Sequence, residues 1–317
     1  MAYNVSALPA YVKDNVDDLI YRSLFTSRTG SLIEAEGHVQ TGIKSTENIE
    51  IFDTDVIFQT DSCGWSPSGN TAFTQRPLAV GKIKAEEAIC PKDLESKYTQ
   101  WALKKGSKTD YMPFEEQYSG MKADIIAEQL EVADWRGDTT SLNANLNKYD
   151  GLIKLLDAAG TTTNGNPTGI STGTGITAAN VKAIAAGMWS ALPARIQGKS
   201  DVRIFCGWDF FTLFISAYTD LNLFHFAPNG GEVNAAVGEV TIPGTNYKLT
   251  AVHGLDGTNR LFAIRMSNLY LGVDMEHEEE DFNIWYSQDN NEMRYRVEFK
   301  RGINVAFPNE VVSFKLV

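Results

Sequence analysis

The sequence predicts an α+β protein, and three observations along the chain lead to that fold class. Between residues 45 and 91, two runs alternate apolar and polar residues in the manner of strands. One apolar stripe at helical spacing extends from about Phe114 to Arg136. From Leu142 onward, helical and strand-like segments alternate. The 317 residues allow one large domain or two smaller ones, with an ample core in either case.

Charge and composition exclude several classes of protein. The formal net charge is -12, so the chain does not bind nucleic acid by neutralising phosphates, although it can enclose nucleic acid with sparse contacts. Cys63, Cys90 and Cys206 are widely spaced, which indicates a reducing compartment and no disulfide framework. The N-terminus has no signal-peptide pattern, and no apolar run approaches the ~20 residues that cross a bilayer. We therefore expect a soluble protein that is made in the cytoplasm and does not enter a membrane.

Residues 1–44 are predicted to form an N-terminal arm with one short helix. After Pro9, apolar residues recur at helical spacing, with charged residues on the other side. A short terminal helix with one apolar stripe is stable only when another surface covers that stripe. We expect another subunit to provide this surface and to contact Val12, Val16, Leu19, Ile20 and Leu24.

Residues 45–91 predict a long hairpin with a loose tip. The runs "NIEIFDTDVIFQTD" and "TAFTQRPLAVGKIKAEEAIC" are typical of strands, and the Gly-, Ser- and Pro-rich "SCGWSPSGN" lies between them. Two strands alone are only marginally stable in water, so the hairpin is either an ordinary surface feature or an arm that another subunit stabilises. Trp65 at the tip favours the arm, because a large aromatic on a polar protrusion is normally buried in a partner. Phe73 on the second strand is predicted to join the same contact.

Two helices are predicted after the hairpin. The segment "PKDLESKYTQWALKKG" predicts a short helix that stops at Gly106. The longest predicted helix then lies between Pro113 and Gly137. Its length is roughly 34 Å, which is enough to brace a whole domain. Its apolar stripe consists of Phe114, Tyr118, Met121, Ile125 and Val132, widened by Ile126 and Leu130.

Residues 142–273 predict an α/β lobe. The helix in "LNKYDGLIKLLDAAG" is capped by Gly160, and a second helix begins at the N-cap candidate Thr177 and ends near Pro193. A Gly-, Thr- and Asn-rich loop separates these helices. The strand "DVRIFCG" places Cys206 in an apolar setting, where it is a small buried residue, and "WDFFTLFISAYTDL" is a very apolar helix. Several strands follow, separated by turns such as Asp256-Gly257.

Residues 274–317 predict an aromatic hairpin preceded by the acidic stretch "MEHEEED". Folding the chain about Asp289-Asn290 places the apolar residues of both strands on one face. This register pairs Tyr286 with Met293, Ile284 with Tyr295, Phe282 with Val297 and, on the other face, Trp285 with Arg294. Extended further, it places Glu279 opposite Lys300 and Glu278 opposite Arg301, so we interpret the acidic stretch as the charged base of the hairpin, paired within or between chains.

The sequence contains none of the common motifs for catalysis, cofactor binding or metal binding. His277 lies among carboxylates, but the sequence lacks HExxH and calcium-loop patterns, so no metal is expected, while an acid/base pair stays open. The loop ending in "GTGITAAN" lacks the GxxxxGK[ST] phosphate-binding pattern. The chain also has no GxSxG elbow and no conspicuous basic DNA-reading helix. We predict no catalytic, cofactor-binding or metal-binding residues.

The order of these parts resembles the major capsid proteins of tailed bacteriophages, the Hong Kong 97 type. The resemblance rests on "NIEIFDTDVIFQTD", "SCGWSPSGN", "AVGKIKAEEAICPKDLE", "FEEQYSGMKADIIAEQLEVADWRGD", "NKYDGLIKLLDAAG", "GITAANV", and the segment from "IPGTNYKLTAVHGL" through "RGINVAFPNEVVSF". It covers most of the chain and is one of layout, without a short diagnostic motif.

The resemblance implies a division of the chain into five parts. Residues 1–44 would be the N-terminal arm, 45–91 the extended loop over a neighbouring subunit, and 92–141 the peripheral domain with its spine helix. Residues 142–273 would form the axial domain around the five- and six-fold axes, and 274–317 the C-terminal strands of the peripheral domain. Because Met1 leads directly into the arm, any scaffold is expected to be a separate protein. A Lys–Asn cross-link, as in some members, stays open for Lys82, Lys84, Asn304 and Asn309.

The leading hypothesis is a major capsid protein without a catalytic site. Its copies would form pentamers and hexamers of an icosahedral phage head in the virion, and would enclose DNA without sequence-specific binding. Portal, scaffolding or decoration proteins are further expected partners. Two alternatives stay open: a cellular nanocompartment shell of the same fold, and a cytoplasmic enzyme or ligand-binding α+β protein that uses residues 142–273.

Overall fold

A computed structural model describes most of the chain. The described residues are 28–36, 38–61, 63–65, 67–89, 114–170, 175–220, 238–242, 244–274, 283–290 and 292–316. Several predictions lie outside these residues: the apolar stripe Val12, Val16, Leu19, Ile20 and Leu24, the helix before Gly106, and the acidic residues Glu278 and Glu279.

The described residues form five α-helices and thirteen strands. The helices are α1 (Arg28–Ala35), α2 (Phe114–Arg136), α3 (Leu152–Ala159), α4 (Val181–Ser190) and α5 (Trp208–Asp220). The first strands are β1 (Val39–Gln40), β2 (Thr46–Thr54), β3 (Thr71–Ala79), β4 (Gly81–Ile89), β5 (Thr163–Asn164) and β6 (Val202–Cys206). The others are β7 (Glu239–Thr241), β8 (Lys248–Ala251), β9 (Arg260–Arg265), β10 (Leu269–Val273), β11 (Asn283–Ser287), β12 (Glu292–Val305) and β13 (Val312–Lys315).

The first sheet is organised around the long strand β12. One end of β12 lies between β4 and β11, and its other end pairs with β10, which in turn pairs with β1. The β11–β12 register matches Tyr286 with Met293, Ile284 with Tyr295 and Trp285 with Arg294, which confirms the predicted hairpin. The pairing predicted for Phe282 lies outside the described residues.

The second sheet has the strand order β5-β13-β9-β6-β8-β7 and separates two hydrophobic cores. One core packs α4 and α5 against residues such as Ile204 and Leu249. The other core, around Phe205, Phe262 and Trp135, joins this sheet to α2, α3 and the first sheet. Strands of the predicted segment 142–273 pair with strands of the predicted segment 274–317 in both sheets: β10 pairs with β12, and β9 pairs with β13.

The long helix α2 confirms the predicted span, but the apolar stripe predicted for it is partly wrong. Ile125 is 49% exposed, whereas Asp134 and Trp135 near the end of the helix are fully buried. The end of α2 packs against the second sheet, where the rings of Trp135 and Phe205 contact each other at a tilt, with their centroids 5.3 Å apart. The middle of the helix borders an open groove, so an apolar position there stays in contact with solvent.

Two helix ends in the α/β lobe test the predicted caps. Gly160 caps α3 in the left-handed conformation with φ 63°, as predicted. The predicted N-cap Thr177 is wrong, because α4 begins at Val181 and Asn180 occupies the cap position. Thr177 instead opens the preceding turn, where its N–H donates to the Asn180 side chain at 2.8 Å.

The predicted hairpin is present, but its second run divides at Val80. Before that residue, β3 pairs with β2 over nine residue pairs. After it, β4 leaves the hairpin and pairs with β12 in the first sheet. Ile49 and Leu78 at the hairpin base are buried with Ile43 and Ala306, so the base is anchored to the body while the two strands project from it.

Candidate functional site

The projecting end of the hairpin carries a set of exposed apolar side chains. Phe58 is 95% exposed, Trp65 93% and Phe73 78%, and more than half of the surface of each remaining member is exposed as well. We call this set the tip cluster; it consists of Phe52, Val56, Ile57, Phe58, Trp65 and Phe73. Such a patch is unusual on a monomeric surface and typically marks an interface.

Local structure explains why the tip cluster has no cover in its own chain. Strands β2 and β3 pair only with each other in the described structure, and above their buried base at Ile49 and Leu78 most of their residues are exposed. Phe52 and Phe73 face each other across the ladder, with ring centroids 5.0 Å apart in an edge-to-face arrangement. Between Thr54 and Thr71, none of the described residues lies in a helix or strand, and Val56 to Phe58 belong to this connecting segment.

The structure places both predicted hairpin contacts, Trp65 and Phe73, on this exposed surface. The sequence places Val56 and Phe58 at alternating apolar positions of the strand-like run "NIEIFDTDVIFQTD", and predicts neither these residues nor Phe52 and Ile57 as contacts. β2 instead ends at Thr54, so Val56 and Phe58 lie beyond the strand, and the alternation there does not bury one face.

The base of the hairpin is held by polar contacts as well as apolar ones. The amide of Asn304 on β12 donates to the Pro77 carbonyl at 2.7 Å, and its oxygen accepts from the Val305 N–H at 2.7 Å. Asn304 is buried and already bonded, so its amide is poorly placed for a cross-link to a neighbour. Asn309, by contrast, is exposed.

Arg301, predicted as an intersubunit contact, is fully buried within its own chain, and that prediction is wrong. Its guanidinium donates to both carboxylate oxygens of Asp134 on α2, at 3.0 Å from Nε and 2.5 Å from Nη2. Tyr149 donates to the same carboxylate at 2.6 Å. Burial alone would lower the pKa of Arg301, but the charge of Asp134 raises it above its ordinary value. The residue therefore links α2 to β12 and does not reach a neighbouring copy.

The other two basic residues predicted at the interface, Lys300 and Arg294, have acidic neighbours within their own chain. Lys300 forms an ion pair with Asp274 of its own chain, and both side chains are largely buried. Arg294 lies opposite Trp285, as the predicted register requires, and its Nε is 3.7 Å from the Glu292 carboxylate. Their predicted role between subunits stays a prediction, and their acidic partners Glu278 and Glu279 lie outside the described residues.

Helix α1 follows the predicted arm helix and is hydrogen-bonded to the buried carboxylate of Glu131 on α2. Glu131 accepts hydrogen bonds from the backbone N–H and the hydroxyl of Thr29, at 2.9 and 2.6 Å. The Trp135 indole donates to the same hydroxyl at 2.9 Å. Burial raises the pKa of Glu131, while these hydrogen bonds favour its ionised form. Nearby, burial raises the pKa of Glu34 to about 7, against the influence of Arg301.

A groove separates α2 from β4 and β12. It has a volume of about 440 Å³, and Ile83, Ile126, Leu130, Tyr295 and Phe299 supply its apolar lining. Ile125 and three lysines, Lys84, Lys122 and Lys148, lie along it. Glu86 and Glu87 also line the groove and pair with Lys84 and Lys122.

The described residues offer little for catalysis or metal binding. No group of three or more His, Cys, Asp or Glu within them is arranged to hold a metal ion. Cys206 is fully buried, and burial raises its pKa well above the ordinary value, so it is an unreactive thiol as expected. The acidic stretch with His277 lies outside the described residues. Among the described helices, none is both long enough and apolar enough to span a membrane.

Comparisons with known proteins identify the fold of this chain. No protein-family model and no curated protein matches the sequence. A capsid chain from the procapsid of satellite phage P4, solved with its size-determination protein, is similar over 98% of this chain and 95% of its own, with 12% identity and a TM-score of 0.60. A capsid chain of the Myoviridae phage XM1 is similar over 87% of both chains, with 11% identity and a TM-score of 0.55. A chain of the native GTA particle capsid gives 90% coverage of both chains, 10% identity and a TM-score of 0.54.

These likenesses cover between 87% and 98% of this chain. They confirm the α+β class and show that the chain has the capsid fold of these phage proteins, as the resemblance to the Hong Kong 97 type predicted.

Proposed function

We propose that this chain is a major capsid protein whose copies assemble into the icosahedral head shell of a phage. The observation that carries the proposal is the tip cluster, which its own chain leaves exposed on an anchored, projecting hairpin. Apolar surface of this kind is stabilised when a neighbour removes it from water. The capsid fold supports the same conclusion, because the similar solved chains come from assembled capsids and procapsids.

The proposed arrangement assigns a task to each part of the chain. The arm and the hairpin, residues 1–44 and 45–91, would contact neighbouring copies. The long helix α2 within 92–141 would brace the peripheral part, and the α/β lobe 142–273 would surround the five- and six-fold axes of pentamers and hexamers. Residues 274–317 would complete the peripheral sheet, although β13 lies in the second sheet.

The proposed shell is structural and has no catalytic, cofactor or metal site. A net charge of -12 would limit adhesion of the shell to packaged DNA, so that DNA is enclosed without sequence-specific contacts. The protein would be made in the host cytoplasm and located in the virion, where portal, scaffolding or decoration proteins would be further partners.

A second candidate, a cellular nanocompartment shell, rests on a specific likeness. A virus-like particle from Pyrococcus furiosus is similar over 97% of both chains, with 8% identity and a TM-score of 0.50. The two shells would differ in cargo: nucleic acid for a phage head and protein for a nanocompartment. Particles isolated from the natural source separate the two readings by whether they contain DNA.

Electron microscopy of the purified protein over a range of protein and salt concentrations tests the proposed function. We expect shells or rings of capsomers. Small discrete particles under every condition would instead support the remaining alternative, a compact enzyme or ligand-binding protein that uses residues 142–273.

Deleting residues 62–70 tests the role of the hairpin within the same experiment. We expect soluble protein whose α/β lobe folds normally, since the described residues of this stretch, 63–65 and 67–70, are all exposed. The protein should no longer form closed shells. Shells of normal size from the deletion variant would remove the hairpin from the assembly interface.

A further inference from the structure

We propose that protonation of Glu34 holds helix α1 on α2 and that ionisation of this residue loosens the helix. The carboxyl groups of Glu34 on α1 and of Glu131 and Asp134 on α2 share one cation, Arg301 on β12, where these three elements meet. We call these four residues, together with Thr29, the α1 junction. The inference goes beyond the proposed function, because it concerns the single chain before any assembly.

Two carboxyl groups of the α1 junction have partners that suit an ionised carboxylate. Asp134 accepts hydrogen bonds from Arg301 and from Tyr149, so the positive charge of the guanidinium is already matched. Glu131 accepts with both oxygens from Thr29, at 2.9 Å from the backbone N–H and 2.6 Å from the hydroxyl. Hydrogen bonds to the charged form favour that form. The junction therefore has one negative charge in excess before its third carboxyl group is considered.

Glu34 is that third group, and its buried oxygen is unbonded. The Oε1 atom has no hydrogen-bond partner among the described residues, and burial raises the pKa of Glu34 to about 7 against the influence of Arg301. Ionisation would add a second uncompensated negative charge to a junction that already contains Glu131 and Asp134, and like charges repel. The Glu34 side chain is only partly buried, so its proton can exchange with solvent while the protein stays folded.

The charged groups at the two ends of α1 are bonded to neighbouring elements. Arg28 donates to the Ala251 carbonyl at 2.8 Å, and Glu36 lies 3.4 Å from Arg203. Across the described residues, the titratable groups that other elements place around α1 are Glu131 and Asp134 on α2, Tyr149 before α3, Arg203 and Cys206 on β6, Glu239 on β7 and Arg301 on β12. Compared with these groups, Glu34 combines an unbonded buried oxygen with access to solvent, so it is where a change of pH acts.

The direction of the effect follows from the two states of the helix. The docked helix keeps the Glu34 proton up to about pH 7, whereas the undocked helix, with the ordinary pKa of 4.5, loses it earlier. Docking is therefore favoured most below about pH 4.5 and is weakened as the pH rises to about 7. Because α1 belongs to the predicted arm, residues 1–44, the chain before Arg28 should be held more firmly in acid than at neutral pH.

Hydrogen–deuterium exchange of the unassembled protein tests this inference. Protection of the amides of α1 is measured from about pH 5 to about pH 8 and corrected for the intrinsic effect of pH on exchange. Helix α3, which also has eight residues, is the internal reference. We expect the protection of α1 to fall about tenfold or more over this range, mostly before pH 7, and to lie below that of α3 at pH 8.

Three variants assign the effect to the α1 junction. Glu34→Gln keeps the size of the side chain and removes its charge, so the protection of α1 should stay high at every pH. Glu36→Gln, on the same side of the chain as the end of α1, should keep the wild-type dependence on pH. Thr29→Val removes the hydroxyl that binds Glu131 and should lower the protection of α1 at every pH.

Three results would overturn the inference: protection of α1 that does not change with pH, a Glu34→Gln variant with the wild-type dependence, or protection of α1 equal to that of α3 at every pH. The last result would mean that α1 opens only when the rest of the chain unfolds. The wild-type comparison of α1 with α3 decides the question even if a variant fails to fold. No shell is needed for these measurements, so a negative result leaves the proposed function intact.

Discussion

Arg301 and Asp134 form a buried ion pair that joins the first sheet to the long helix, across 167 positions of sequence. Both side chains are fully buried, and the fork of the guanidinium meets both carboxylate oxygens. Tyr149, which precedes α3, donates to the same carboxylate. Three separate parts of the chain thus meet at one charge pair, and their packing depends on its integrity.

Removing one member of this pair is expected to be severely destabilising. Arg301→Met leaves the Asp134 charge buried without its cation, which typically costs about 3–5 kcal/mol. Urea denaturation of the soluble, unassembled protein measures the change in unfolding free energy. The double variant Arg301→Met with Asp134→Leu should recover much of the loss, because apolar residues of similar size often replace a buried pair without penalty.

A matched control comes from an ion pair with similar geometry near solvent. Arg260 also binds both oxygens of a carboxylate, that of Asp157, at 2.9 and 2.7 Å, but Asp157 is half-exposed. Arg260→Met should therefore cost less than about 1 kcal/mol. Equal losses at the two positions would contradict the importance assigned to burial.

The raised pKa of Glu34 predicts that the stability of the folded protein depends on pH. Burial raises its pKa from 4.5 to about 7 in the folded protein, and its Oε1 atom is buried without a hydrogen-bond partner among the described residues. The folded state therefore binds a proton more tightly than the unfolded state. The stability that proton binding at Glu34 contributes is complete below about pH 4.5 and is lost as the pH rises to about 7.

Substitution of this residue isolates the effect. Glu34→Gln keeps the size and removes the titration, so the stability of the variant should fall less between pH 4.5 and 7 than that of the wild type. Denaturation midpoints measured at several pH values give the comparison. Glu50→Gln, on the exposed strand β2, should leave the wild-type slope unchanged. Parallel slopes for the Glu34 variant and the wild type would refute the assignment.

Features set by local sequence could be predicted here. The bounds of α2 follow from Pro113 and Gly137, and the β11–β12 register follows from alternating aromatic residues around one turn. Both depend on residues that are close in sequence, so period and turn chemistry suffice. The division of the second hairpin run at Val80 was not predictable, because either half alternates like a strand and only the distant β12 decides where β4 pairs.

The candidate site was predictable only in outline. Trp65 stands out as an aromatic in a polar loop, whereas Phe52 and Phe58 look like ordinary strand residues until the structure shows that Phe52 is 59% and Phe58 95% exposed. Arg301 was assigned to an acidic partner by extending the hairpin register. Its real partner, Asp134, lies on a helix far away in sequence, and charge pattern along one hairpin carries no information about such contacts.

Gly81 is expected to tolerate no side chain. It begins β4 at the point where the hairpin joins the body, and a Cβ atom there would lie 2.1 Å from the Lys148 carbonyl oxygen. Gly81→Ala must therefore displace backbone, at a cost of about 1–3 kcal/mol. Thermal denaturation should show the loss. Gly69→Ala is the control: in the exposed hairpin loop its Cβ would meet only the Asp55 carbonyl oxygen, at 3.1 Å, so the loss should be clearly smaller than for Gly81→Ala.

The tip cluster predicts that assembly and stability can be separated. Phe58 and Trp65 are more than nine-tenths exposed in the single chain, so the double variant Phe58→Ser and Trp65→Ser should unfold within about 0.5 kcal/mol of the wild type. Assembly should nevertheless fail or require much more protein, because each ring removes a large apolar area from water only in the interface. Light scattering against protein concentration, with urea denaturation alongside, measures both quantities.

The control for this prediction is an equally exposed apolar residue outside the hairpin. Leu142, in the loop between α2 and α3, is 102% exposed, and Leu142→Ser removes a comparable side chain from another surface. We expect assembly of this variant at the wild-type concentration. If both variants assembled normally, exposure of the tip cluster would have no role in the shell. If the tip variant lost stability as a monomer, the cluster would be packing on its own chain, which contradicts the exposed positions of its rings.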